Sequence, residues 1–131
     1  MIDRRLRRVL LALVAAGALL PVVALAAPAK VLVVVGVRAK DRQAYLAKLS
    51  TYEAMTERLG LPRARVWRAT LAGEGTDTIY VVTEYESSAA WAAAQQKVAT
   101  DAEASRFLRE IEASGVRTVV DRSLLVEEAL K

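Results

Sequence analysis

Val31-Leu32-Val33-Val34-Val35-Gly36-Val37 is the stretch on which the fold turns. Five of its seven residues are valine and none is charged. Branching at Cβ stiffens the side chain and favours extended backbone. A short, charge-free, β-branched run reads as a strand buried on both faces. Working outward, Asp41 stands where a helix cap belongs. Tyr45, Leu49, Tyr52, Thr56 and Leu59 then recur at helical spacing, with Leu46 and Met55 widening the stripe. Gly60 and Pro62 end that helix in the usual order, glycine at the stop and proline beyond it.

The chain from Arg65 to Leu71 alternates as a strand does, with Trp67, Ala69 and Leu71 on one side and Val66, Arg68 and Thr70 on the other. Gly73-Glu74-Gly75 reads as a hairpin loop, and Thr78 to Tyr85 as the returning strand. Ser87 or Ser88 caps the next helix, which carries Trp91, Gln95 and Val98. Thr100-Asp101 marks a break with a fresh cap, followed by a helical stretch with Phe107, Leu108 and Ile111 that ends at Ser114-Gly115. Arg117 to Val126 closes the chain as a fourth strand. There is no repeat at solenoid length and no low-complexity linker.

The element order is β-α-β-β-α-β, an α+β arrangement of the ferredoxin-like kind: a four-stranded antiparallel sheet with two helices on one face. Helices cover only one side of such a sheet. Yet the first strand is apolar on both sides, and Leu124 and Val126 share a face of the last strand. An uncovered apolar face invites a partner, and two-fold self-association is the commonest assembly. A second copy, sheet against sheet, is the expected partner.

The N-terminal residues belong to a different class. Met1 to Arg8 holds four arginines against one aspartate. Val9 to Leu25 carries no charge, and Ala24-Leu25-Ala26 follows as a small-residue exit. Basic start, apolar middle and Ala-x-Ala end make the signal-peptide pattern, with cleavage expected after Ala26 and Ala29 as the second choice. The division is then residues 1–26 as signal and 27–131 as one domain, exported from a bacterial cell to the periplasm or beyond. An uncleaved anchor is the competing reading, since a spanning helix needs about 20 apolar residues. In that case the membrane is touched through this segment only. Arg7-Arg8 also resembles a twin-arginine signal, so the export route stays open.

Composition narrows the chemistry. The whole chain carries +4, but the signal takes four basic residues and one acidic residue with it, leaving a domain near neutrality with no basic patch for nucleic acid. There is no cysteine, no histidine and no asparagine. That excludes a disulfide, a thiol nucleophile, a Ser-His-Asp triad and a Cys/His zinc site. No metal or cofactor is expected, and no complete catalytic constellation can be named. Carboxylates, Tyr, Lys, Arg, Ser, Thr and Trp remain.

Two stretches carry a resemblance. Thr83-Glu84-Tyr85-Glu86-Ser87 running into Ala89-Ala90-Trp91 joins a strand to a long helix, and Arg117-Thr118 through Arg122-Ser123-Leu124-Leu125 forms the closing strand. With the element order, these make residues 27–131 resemble dimeric α/β-barrel proteins of the antibiotic-biosynthesis-monooxygenase type, related to NIPSNAP-like domains. The resemblance implies a homodimeric α/β barrel with a pocket between sheet and helices in each copy. It also implies either ligand binding or cofactor-free oxygenation. Haem-degrading relatives rely on His and Asn, which this chain lacks.

Trp67, Arg68, Tyr80, Trp91 and Arg122 are the candidate ligand-binding residues. Flat rings suit a planar apolar ligand, though they equally build small cores. Arg's planar fork suits a carbonyl or an anion. Mid-strand arginines alternatively pair with acids, for which Glu84 and Asp121 are the available partners. Tyr45 and Tyr52 lie seven apart on one helix face, either packing on the sheet or donating to a ligand. Three roles follow: binding of a small apolar or aromatic molecule, cofactor-free oxygenation of a phenol or quinol, or a non-catalytic interaction module of the cell envelope.

Overall fold

The computed structural model describes residues 28–131. The signal segment and the first-choice cleavage point after Ala26 lie outside the described residues, while Ala29, the second choice, lies within them. Strand β1 spans Val31–Ala39, helix α1 Arg42–Arg58, β2 Arg65–Arg68, β3 Ile79–Tyr85, α2 Ser88–Thr100, α3 Ala102–Ser114 and β4 Arg117–Val126. The strands form one sheet in the order β2-β3-β1-β4, every neighbouring pair antiparallel. That order and the element sequence fit the ferredoxin-like arrangement read from the sequence. Among the described residues, no helix is long and apolar enough to cross a membrane.

Local chemistry sets the ends of the elements. The Asp41 carboxylate accepts from the Ala44 amide at 3.0 Å and starts α1. At the other end Gly60 takes φ of 73°, a conformation glycine adopts without steric cost. This turns the chain so that Gly60 N–H reaches the Glu57 carbonyl at 2.9 Å and Leu61 N–H the Thr56 carbonyl at 3.0 Å. Both bonds satisfy carbonyls that the helix end would otherwise leave open. Ser87 caps α2 through the Ala90 amide at 3.0 Å.

The second helical layer is two helices. Asp101 ends α2 with extended backbone, ψ of 117°, and caps α3 by accepting from the Ala104 amide at 2.9 Å. The same carboxylate receives Arg58 from the end of α1 at 3.0 Å. Its pKa is held below the ordinary carboxylate value, first by the Ala104 amide and then by Arg58.

Residue partners across the ladders assign the two faces. Val31, Val33, Val35 and Val37 lie level with Tyr85, Thr83, Val81 and Ile79 on β3, and with Val126, Leu124, Arg122 and Val119 on β4. Val37, Ile79, Tyr45 and Leu49 pack together, which marks this as the face covered by helices. Leu32, Val34, Gly36, Tyr80, Val82, Trp67 and Leu125 point the other way by the same period-two rule. Leu124 and Val126 therefore belong to the helix side, opposite to the uncovered face to which their pairing in sequence had been related. An irregularity between Gly36 and Val37 shifts the β1–β4 register by one residue.

β2 is shorter than the Arg65-to-Leu71 alternation predicts. Ala69 still exchanges bonds with the hairpin, its amide to Thr78 O at 2.9 Å and its carbonyl from Asp77 N at 2.8 Å. Beyond it a single 3₁₀ turn at Gly73–Gly75 and a left-handed Asp77 end the pairing, and Leu71 is fully exposed.

Candidate functional site

A cavity of about 640 Å³ lies between the sheet and all three helices. Its floor is Val33 and Val35 of β1, Val81 and Tyr85 of β3, and Arg122 and Leu124 of β4. The period of two in each strand brings these onto one surface. Its roof is helical. Tyr45, Leu49 and Tyr52 descend from α1 at spacings of four and three, Trp91 and Gln95 from α2 at four, and Leu108 and Ile111 from α3 at three. Tyr52 stacks on Phe107 of α3, ring centroids 6.4 Å apart and 8° from parallel, and so ties α1 to α3 across the roof.

The lining is mostly apolar, with the acids Glu53 and Glu112, the arginines Arg117 and Arg122 and a few uncharged polar groups among it. Burial pushes the phenol pKa of Tyr52 up, with smaller contributions from Tyr85 and Glu53, and burial pushes Tyr85 up as well, with Glu53 adding to it. Both hydroxyls thus keep their protons through the physiological range. Arg117 is mostly buried and pairs with Glu112 at 2.9 Å. Burial opposes its charge, but the Glu112 carboxylate and the neighbouring Tyr45 oxygen outweigh that, and the net shift is upward. Glu53 accepts from the Ala64 amide at 3.0 Å, anchoring the loop before β2.

Three buried side-chain atoms among the described residues lack any hydrogen-bond partner: Tyr45 Oη, Trp91 Nε1 and Arg117 Nε. All three side chains line this cavity. The Tyr45 hydroxyl sits beside Arg117, and its oxygen favours the charged form of the guanidinium.

The candidates read from the sequence divide. Trp91 and Arg122 line the cavity. Trp67 and Tyr80 sit level with each other on the opposite face of the sheet, with Trp67 60% exposed. Arg68 is level with Ile79 on the helix side, but on the edge strand, exposed and away from the cavity lining. The anticipated pairings of Arg68 and Arg122 with Glu84 and Asp121 do not form. Glu84 instead holds Lys30 at 3.2 Å and Arg65 at 3.9 Å, and Asp121 accepts from Ser123. Geometry explains it: Glu84 and Asp121 point to the open face, Arg68 and Arg122 to the helix face.

Arg117 and Tyr85 are site residues the sequence reading did not select. Their signal was position: Arg117 is the first strand residue after the Gly115 turn, and Tyr85 the last before the Ser87 cap. Among the described residues, no group of three or more acidic, His or Cys side chains could hold a metal ion. Searches against protein families, curated proteins and solved structures returned no match.

Proposed function

We propose that this chain is an exported protein that binds a small, mainly apolar or aromatic molecule between its sheet and its helices. The observation that carries the reading is the cavity of about 640 Å³, walled by Val, Leu, Tyr and Trp side chains. Ligand sites are concave, mostly apolar and carry a few placed polar groups, and their volumes run from about 300 to 1,000 Å³. Trp91 and Arg122, with Tyr45, Tyr85 and Arg117, are the binding residues in this reading. A second copy packs on the open face of the sheet, as the resemblance to dimeric α/β-barrel proteins of the antibiotic-biosynthesis-monooxygenase type implies. The exposed Trp67 and Leu125 on that face support it.

The test is a thermal-shift screen of the purified protein against quinones, phenols, flavin, haem and fatty acids. A ligand of the native state adds about 2.7 kcal/mol at a hundredfold excess over its Kd. A dose-dependent rise with ring compounds is the expected result. No rise with any class in a folded protein sinks the binding reading and favours an interaction module. Export has its own check: protein recovered from the cell envelope begins at Ala27.

Cofactor-free oxygenation of a phenol or quinol is the second reading. Arg122 on the cavity floor, as a cation for a phenolate, and the protonated hydroxyls of Tyr52 and Tyr85, as hydrogen-bond donors, favour it. Oxygen uptake with a bound phenol separates it from binding alone.

A further inference from the structure

Four charged side chains line the cavity: Glu53, Glu112, Arg117 and Arg122. Three of them are matched within the protein. Glu112 pairs with Arg117 at 2.9 Å, and Glu53 accepts from the Ala64 amide at 3.0 Å. Arg122 forms no ion pair among the described residues. Its setting on the sheet is apolar. It is level with Val35 on β1, and Leu124 follows it on the same face of β4. Asp121, the acid beside it in sequence, points to the open face.

Exposure shows where the cavity opens. On the helix side of β1 and β3, Val31, Val37, Ile79 and Tyr85 are buried. On the same side of β4, Leu124 is 43% and Val126 53% exposed, and Arg122 is exposed with them. The helices therefore cover β1 and β3 and stop short of the Arg122-to-Val126 half of β4. The mouth lies along that half, and Arg122 stands in it. A molecule entering there meets a cation first and an apolar interior behind it.

Charge fixes which end of the molecule goes in. An anion at the mouth meets Arg122 and stays in contact with water, so little of its hydration is lost. An anion carried further would come toward Glu53 or Glu112 and be repelled. One unmatched guanidinium balances one negative charge. A carboxylate fits its planar fork with two parallel hydrogen bonds.

We propose that the cavity takes an amphipathic monocarboxylate, its ring body lodged between sheet and helices and its carboxylate held at the β4 mouth by Arg122. This rests on the small-molecule reading above and adds the ligand's charge and orientation to it.

Ligand-observed NMR titration of the purified protein compares 2-naphthoate with 2-naphthamide, its uncharged isostere. At neutral pH and low salt the carboxylate binds about fivefold more tightly, the upper end of what a water-exposed ion pair contributes. High salt removes that advantage and leaves the amide unchanged. Arg122→Gln brings the carboxylate down to the affinity of the amide, and Arg122→Lys keeps part of the difference. The side chain is exposed, so neither variant lowers the melting temperature of the free protein. Arg68→Gln makes the same charge change at the opposite edge of the sheet and leaves both probes unaffected. Three results overturn the proposal and leave the pocket standing: an amide that binds as tightly as the carboxylate, a carboxylate advantage that survives Arg122→Gln, or an equal loss in Arg68→Gln. If neither probe binds, the pocket reading falls with it.

Discussion

The two faces of the sheet are both apolar, but they are apolar in different ways. On the helix side, Val31, Val37 and Ile79 are shut away from solvent beneath α1 and its neighbours, and the middle of that face opens into a cavity. On the other side, Leu32, Val34, Tyr80 and Val82 keep partial exposure, and Trp67 and Leu125 stand mostly in water. A face that is buried and yet hollow has room for a small molecule. A face that is flat and half-wet suits another flat surface. Hydrophobicity alone does not distinguish them, whereas depth and shape do.

Substitutions matched across the sheet test that contrast. The largest expected effect is on the covered side: Ile79→Ala costs about 3 kcal/mol in chemical denaturation, within the range for deleting a large aliphatic core side chain. Val82→Ala, three residues along the same strand and facing away, costs under half as much. Equal losses would mean that the open face is as well packed as the core. Next comes Trp67→Glu, which leaves the unfolding midpoint of the monomer nearly unchanged and, on the proposal that a second copy packs on this face, shifts sedimentation from dimer to monomer. Unchanged sedimentation removes the sheet-to-sheet partner.

Gly36 probes the open face from within. A Cβ there would meet the Asp121 Cβ at 3.0 Å and the Tyr80 ring at 3.1 Å. Tyr80 lies across the glycine and fills the space a side chain would take. Gly36→Ala is expected to cost about 1 kcal/mol through this crowding, and Gly36→Ala combined with Tyr80→Ala less than the sum of the two. Strict additivity would show that the ring does not rest on the glycine.

The smallest effect is electrostatic and acts on the helical layer alone. Asp101 has a folded pKa below its unfolded value of about 3.9. Its contribution is therefore full above the unfolded value and is lost as pH falls through the folded one. Lowering the pH below about 4 reduces the melting temperature more in the parent than in Asp101→Asn, where that titration is gone. Parallel curves for the two proteins would remove Asp101 as a source of acid sensitivity.

Much of this architecture was legible from residue order. Asp41, Gly60, Ser87 and the Thr100-Asp101 break place three helices, because caps and glycine stops act through bonds to residues three or four away. The strands were legible for a similar local reason. Which side of each strand met the helices was not. Ile79-Tyr80-Val81-Val82 is apolar on both sides, so period two separates the residues into sets without saying which set is inside. Trp67 and Tyr80 were grouped with Trp91 on chemistry alone, and the sheet divides them. Arg117 escaped notice because its value comes from Glu112 and Tyr45, neither of which neighbours it in sequence closely enough to suggest a cluster.

The joint at Asp101 has a consequence for how such a chain can diverge. One residue is at once the C-cap of α2 and the N-cap of α3, so there is no slack between them. Adding or removing a single residue just past it would rotate the rest of α3 by about 100°. Leu108 and Ile111 would then swing out of the roof, and Phe107 off the Tyr52 ring. Descendants of this chain can resize the cavity by exchanging side chains, while length variation at this point is closed to them and is left to places such as the 73–77 loop, whose residues do not line the cavity.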